Sequence, residues 1–293
     1  MHNGRLDVRR RSSGAMLYAV LTLLCLVVLL PIAVLVSASF SSENALVQHG
    51  YSLLPQQFTT AAYGYILSNP RQILASYGVT VFVTMVGTPA SLLITALLAY
   101  PLSRKDFFYN RQLSFYVFFT MLFNGGLVPW YIVVTQIFHL KDTLWVLIVL
   151  HLVTPWYVLL MRTFFSALPH EIVESAKIDG VGEYRLFLQI ILPLSAPVLA
   201  TVGLFSALMF WNDWWLGLLY IEDRDLIPLQ YLLYTTVKNI EVLDSLPTST
   251  GTAIPSESAR MAMAVIAIGP IALLYAFFQK YFVRGLTVGA IKG

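Results

Sequence analysis

Charge is scarce in this sequence: Asp, Glu, Lys and Arg make up 11% of its 293 residues, while 58% are hydrophobic. An ordinary soluble domain carries about 25% charged residues, so this chain cannot cover itself with a wetted surface. A length that would suit two soluble domains therefore belongs to one membrane-embedded unit. The net charge of +3 is too small and too dispersed to recruit nucleic acid. Cysteine is nearly absent. The single Cys25 excludes an internal disulfide and a cysteine-built metal site, and its place inside an apolar run makes it an inert membrane residue.

Catalytic signatures are missing as well. A P-loop requires G-x-x-x-x-G-K-[ST], and no lysine here follows a glycine, which excludes ATP hydrolysis by that route. The histidines (His2, His49, His139, His151, His170) show no metal-ligand spacing, and no G-x-S-x-G elbow is present. No catalytic residue, metal or bound cofactor is expected. His151 lies near the middle of an apolar run and invites a proton-relay reading. With no carboxylate in that run, a hydrogen-bonded structural role is the better reading.

What the sequence does contain is a series of apolar runs: Ala15 to about Ala38, Tyr77–Pro101, Leu113–Phe138, Leu144–Thr163, Pro197–Leu219 and Met261–Phe282. Each approaches or exceeds the ~20 residues that cross a bilayer, and each must be helical because lipid offers no partner to open backbone. The first follows Arg9-Arg10-Arg11 but is longer than the roughly 7–15 residues of a signal-peptide core, so it is expected to be retained. The expected organisation is a tail over residues 1–14 and a single six-span all-α membrane domain over 15–293. With a cytoplasmic N-terminus, thirteen of the eighteen Lys and Arg residues fall on inside segments and five (Arg71, Lys141, Arg224, Lys238, Arg260) outside. That bias puts both termini in the cytoplasm.

Every run contains a proline: Pro31, Pro89, Pro129, Pro155, Pro197 or Pro270. Proline removes a helical hydrogen bond, and transporters use such kinks around a substrate path. Asn124-Gly125-Gly126 ahead of Pro129 predicts a bend or unwinding in the third run. The outer connection, residues 220–258, is acidic and carries the apolar stretch Leu229–Tyr234, which fits either a segment dipping into the bundle mouth or a short interfacial helix.

Two stretches carry chemistry. The segment 168–193, on the inner side, predicts a helix opened at Ser166 or Pro169. Glu171 and Glu174 sit near its positive end, and Gly180 supplies a left-handed stop. A second amphipathic stretch, Glu183–Ile191, is expected to be broken by Pro193. With Ser175 and Ala176 exposed, the first helix suits docking against a partner protein; a solvated surface hairpin fits the same residues. In the fifth run, Phe210-Trp211-Asn212-Asp213-Trp214-Trp215 offers aromatic faces and hydrogen-bonding groups suited to sugars, and equally an interfacial aromatic belt. Asn124 and Tyr131 are further cavity candidates.

The residues Glu174, Ala176, Asp179, Gly180, Phe187, Ile190, Leu192, Pro193 and Pro197 resemble, in register, the EAA loop of binding-protein-dependent ABC importer permeases. Ser175 and Val181 depart from that pattern, standing where alanine is usual. Ala99-Tyr100-Pro101-Leu102-Ser103-Arg104, Trp211-Asn212-Asp213 and the tail from Gln279 to Gly293 resemble the carbohydrate-uptake branch. Asn124-Gly125-Gly126-Leu127-Val128-Pro129 resembles permeases for polysaccharide-derived oligomers, alginate oligosaccharide importers among them.

That resemblance implies a type I ABC importer permease fold with a cytoplasmic coupling helix, in a bacterial plasma (inner) membrane. It also implies a second homologous permease as heterodimer partner, a homodimeric ATPase that binds ATP and Mg, and an extracytoplasmic solute-binding protein. Glu171, Glu174, Ser175, Ala176, Asp179 and Gly180 would then couple to the ATPase, with Trp211, Asn212, Asp213 and Trp215 on the substrate path. An ABC permease for a non-sugar solute, or a secondary transporter, is the alternative.

Overall fold

The computed structural model describes residues 3–68, 70–245 and 256–271. The described residues are mostly helical, with an isolated Ser41–Phe58 bridge as their β pairing. In chain order the helices are α1 (Asn3–Ser39), α2 (Glu43–His49), α3 (Ala61–Ile66), α4 (Pro70–Ser103), α5 (Asn110–Leu122) and α6 (Leu127–Ile132, prolonged by a π-turn over Val133–Ile137). They continue with α7 (Leu144–Val149), α8 (Pro155–Ser166), α9 (His170–Ile178), α10 (Glu183–Leu194), α11 (Ala196–Trp211), α12 (Trp215–Tyr220), α13 (Leu229–Ser245) and α14 (256–271). The described residues fall into two compact units, one of segments before Arg71 with Thr236–Ile268, the other centred on Arg71–Thr235.

In the first unit, the Met16–Ser39 stretch of α1 is apolar and long enough to cross a membrane. Its 24 residues span roughly 36 Å at helical rise. Cys25 is exposed on this helix, where lipid would meet it. The carboxylate of Glu43, in the first turn of α2, accepts four hydrogen bonds at 3.0 Å, from the Ser256 and Ser258 hydroxyls and the Glu257 and Ser258 amides. It thereby satisfies donors that the start of α14 would otherwise leave bare.

In the second unit, α4 is the spine. One apolar cluster gathers Ala96, Ala99 and Leu102 of α4 with Val158, Met161, Phe165, Ala176, Phe187 and Val202. The other gathers Val79 and Val83 with Val134, Val146, Phe210 and Tyr220. Between them α4 presents Gly87, where an added Cβ would lie 2.6 Å from the Phe210 ring. Small residues on membrane helices permit this approach.

Two continuous helices among the described residues, Met16–Ser39 and Pro70–Ser103, are long and apolar enough to cross a membrane. Two pairs join them if each is one bent span: α5 with α6 and its π-turn, at 111°, and α10 with α11, at 80°. The first bend falls at Phe123–Gly126, the expected position, with Gly126 at φ 86°.

Other expectations require correction. The fourth run is not one helix: it breaks between Val149 and Pro155. Pro155 occupies the first turn of α8 and holds Thr154 extended. Pro193 does not end its helix. Leu186–Ile191 winds as a π-turn, and the widened turn carries the chain through Pro193 to a bend at Ser195. The stretch beginning at Leu229 is a 17-residue helix, and the Leu229 amide donates to Thr80 Oγ1 at 2.8 Å. The second half of the sixth run, the Gln279–Gly293 tail and residues 246–255 of the connection between the fifth and sixth runs lie outside the described residues.

Candidate functional site

The segment 169–182 closes α9 by a recognisable exchange of hydrogen bonds. Gly180, at φ 74°, donates to Lys177 O at 3.1 Å, and Val181 donates to Ala176 O at 3.0 Å. This is the Schellman pattern, which satisfies carbonyls left open at a helix end and brings an apolar pair together. Nothing lies within 4 Å of a Cβ built on Gly180, so glycine is needed there for its backbone angle and not for space.

The pattern corrects the expected exposure of Ala176. That residue is 5% exposed and packs in the α4 cluster, because the inward end of the Schellman pair must be apolar. The outward face is Glu171, Glu174, Ser175 and Ile178, with Asp179 beside them. These first four positions stand at the three- and four-residue spacings that share one helix face. Ile178 is 85% exposed; the sequence reading missed it, although its spacing from Glu171, Glu174 and Ser175 was the available signal. Among the described residues neither Glu171 nor Glu174 has an ion-pair partner.

The opposite side of α9 is fastened to the end of α4. Arg104 grips Asp106 through two nitrogens, at 3.0 and 2.8 Å. Lys177 of α9 reaches Asp106 Oδ2 at 3.0 Å and Glu183 Oε1 at 3.4 Å. The Tyr100 hydroxyl donates to Glu183 Oε2 at 2.7 Å. The Arg104 and Lys177 donors hold the Asp106 carboxyl well below the usual carboxylate range. Exposed pairs of this kind contribute about 0–1 kcal/mol each. Their importance is geometric: five side chains from three segments fix where α9 lies. A cavity of about 420 Å³ between α4, α8 and α9 is lined by Tyr100, Arg104, Glu174 and Lys177 among others.

A second polar centre stands where two helices break. The loop between α7 and α8 carries His151, and the gap between α11 and α12 carries Asn212, Asp213 and Trp214. His151 Nε2 lies 3.1 Å from Asp213 Oδ2. The other oxygen of Asp213 accepts the amides of Trp215 and Leu216 at 3.0 and 3.1 Å, which caps α12. The carboxylate that the fourth run lacks thus comes from the fifth. The pair is shielded, with Asp213 10% and His151 25% exposed at the side chain, and the Phe210 ring stands edge-on to the imidazole at 5.7 Å.

The remaining sugar-path candidates are placed differently. Asn212 Nδ2 donates to Leu208 O, one turn back on its own helix, at 2.9 Å. Trp215 is 45% exposed and stands edge-on to Trp214, which stacks on Tyr234 at 4.5 Å. Trp211 is 2% exposed. Tyr131 stacks on Tyr220, and Asn124 Oδ1 accepts the Gly126 amide at 2.8 Å, locking its own turn. The structure brings Asp213 and Trp215 together and leaves Asn124 and Tyr131 elsewhere. Among the described residues no three His, Cys, Asp or Glu side chains converge as a metal site.

The family model described as "Binding-protein-dependent transport system inner membrane component" matches residues 61–288. The chain belongs to this family. Protein LplC of Bacillus subtilis (strain 168) is 39% identical over 272 residues, covering 91% of this chain and 90% of that protein. The polygalacturonan/rhamnogalacturonan transport system permease protein YtcP of the same organism is 36% identical over 288 residues, covering 98% and 100%.

Among solved structures, a bacterial ABC transporter involved in the import of the acidic polysaccharide alginate is 29% identical. It matches with a TM-score of 0.77, over 93% of this chain and 97% of that one. The permease therefore has the type I ABC permease fold, and the resemblance drawn from the Glu174–Pro197 motif is borne out.

The Tyr100–Arg104–Asp106–Lys177–Glu183 cluster was missed as chemistry. Its signal in the permease sequence was a balance of opposite charges on two connections between apolar runs, with Lys177 and Glu183 flanking the Gly180 turn.

Proposed function

We propose that this chain is one permease subunit of an importer for oligosaccharides, with pectin- or alginate-like acidic oligomers as the favoured class. The support is the company it keeps: relatives named for polygalacturonan/rhamnogalacturonan, arabinooligosaccharide and maltodextrin transport, and the fold shared with the alginate importer. In this reading the chain crosses a bacterial plasma membrane six times with both termini in the cytoplasm. It pairs with a second permease, takes solute from an extracytoplasmic binding protein, and is driven by a separate dimeric ATPase that holds ATP and Mg.

The observation that carries the coupling reading is the outward face of α9. A helix whose Glu171, Glu174 and Ile178 face outward with no ion-pair partner for either acid among the described residues, yet which is fastened to α4 by Lys177 and Glu183, is built to receive force on one side and pass it on by the other. Glu174 meets a basic residue of the ATPase, Ile178 fills an apolar notch there, and Gly180 holds the turn. ATP binding shifts the equilibrium between inward- and outward-facing states by binding one of them better. The broken helices around Asp213 are the place where spans give way, with Asn212 and Trp215 offering an amide and an aromatic face to the passing sugar.

Gly180→Asp is expected to leave the membrane domain folded but to abolish ATPase co-purification and sugar uptake. Retention of both would remove the coupling role. For the path, the Asn212→Ala, Trp215→Ala double variant should lower uptake at least tenfold with ATPase retained; unchanged uptake would dismiss those two residues.

A further inference from the structure

The turn between α4 and α5 carries a pocket that the coupling reading does not use. It encloses about 470 Å³ and is lined by Lys105, Arg111, Arg162 and His170, with Phe107, Phe108 and Leu102 on its apolar side. Its walls are built. Asn110 Nδ2 donates to Leu102 O at 2.8 Å and to Arg104 O at 2.7 Å, which folds the turn tightly. Arg162 Nε donates to the same Leu102 carbonyl at 2.8 Å.

Three cationic side chains and an imidazole therefore converge, and among the described residues no carboxylate lines the pocket. The nearest one in sequence, Asp106, is taken by Arg104 and Lys177. Among the described residues Lys105 and Arg111 enter no ion pair. Beside the cations, Phe108 is 81% exposed and Tyr109 56%, their rings meeting edge-on at 4.9 Å.

We propose that this pocket binds the phosphate headgroup of an anionic phospholipid of the inner leaflet. Uncompensated cations between membrane helices on the cytoplasmic side attract such headgroups, and exposed aromatic rings beside them mark the depth where headgroup meets acyl chain. A soluble phosphate would use the cations and leave the aromatic wall and most of the volume unexplained. Because the turn leads to Lys177 through Asp106, a bound headgroup steadies the joint that holds α9. The proposal rests on the cytoplasmic placement of this turn given above.

The test uses the whole importer with its companion subunits, in nanodiscs of phosphatidylcholine containing a minor fraction of phosphatidylglycerol. Native mass spectrometry reads the lipid that stays bound. The wild type should retain phosphatidylglycerol, and Lys105→Gln with Arg111→Gln should reduce retention roughly 30-fold, the change expected for two interfacial cations. The charge-preserving pair Lys105→Arg, Arg111→Lys should keep it, which separates charge from misfolding, and Arg71→Gln should change nothing.

Equal retention by the neutralised pair overturns the site, as does an equal loss from Arg71→Gln. Displacement of the lipid by millimolar inorganic phosphate reassigns the pocket to soluble phosphate and overturns the lipid. Retention is read without transport, so a failed sugar assignment leaves it standing. Labelling of Lys105→Cys by an impermeant thiol reagent from the outside would instead remove the cytoplasmic placement.

Discussion

The α9 hairpin and the break at Asp213 both carry conspicuous acidic residues, and the fold treats them in opposite ways. At Asp213 both carboxylate oxygens are used within the chain, one by His151 and one by the amides of α12. At α9, Glu171 and Glu174 are left on the surface while the neighbouring Lys177 donates to Asp106, just past the end of α4. A carboxylate shielded from solvent, as Asp213 is at 10% side-chain exposure, must be satisfied on the spot. One on an exposed face keeps its oxygens for solvent. The same residue type is architecture in one region and exposed surface in the other.

The comparison is broken most forcefully at Asp213. Asp213→Leu removes the cap of α12 and strands His151, and should destabilise the permease by about 3 kcal/mol, as the loss of one partner of a shielded pair does. Thermal denaturation of the detergent-solubilised complex measures this. Asp213→Asn keeps an oxygen for the Trp215 and Leu216 amides and should retain most of that stability, so its transport rate isolates the charge from the cap.

Next comes Gly87→Leu, which drives a side chain into the Phe210 ring and should cost about 1–3 kcal/mol by overpacking, read in the same melt. Glu174→Arg should behave differently: stability within about 0.5 kcal/mol of wild type, as for an ordinary surface change, but ATPase pull-down lost. A marked fall in melting temperature would show that Glu174 serves the fold after all.

A small effect, confined to stability, is expected at Asp106. Its folded-state carboxyl is held low by Arg104 and Lys177, so its contribution is present above the ordinary carboxylate range and lost as pH falls through the lowered value. Asp106→Asn should therefore shift stability by less than about 1 kcal/mol at neutral pH. That difference should close on strong acidification, measured by melts across a pH series.

Much of this was legible along the chain. The apolar runs and the absence of a P-loop fixed a membrane protein without its own ATPase motif, and Pro169, Gly180 and the acids between them fixed a capped helix and its turn. Asn124-Gly125-Gly126 marked a real bend. The misreadings share a cause. Ala176 looks exposable because it is small, yet it is the inward half of a Schellman pair. Pro193 looks like a terminator, yet a π-turn absorbs it. Leu144–Thr163 looks continuous because hydropathy averages over the break before Pro155.

Sequence alone determined the class and the hairpin, since those rest on composition and on spacings within a few residues, and its motifs carried the resemblance to the family. The pairing of His151 with Asp213, 62 positions apart, was decided only by how the helices pack. So was the cluster that ties Tyr100 to Glu183 across 83. Local periodicity says which face of a helix is apolar, but a polar side chain meets a distant partner only where tertiary packing brings the two segments within hydrogen-bond reach.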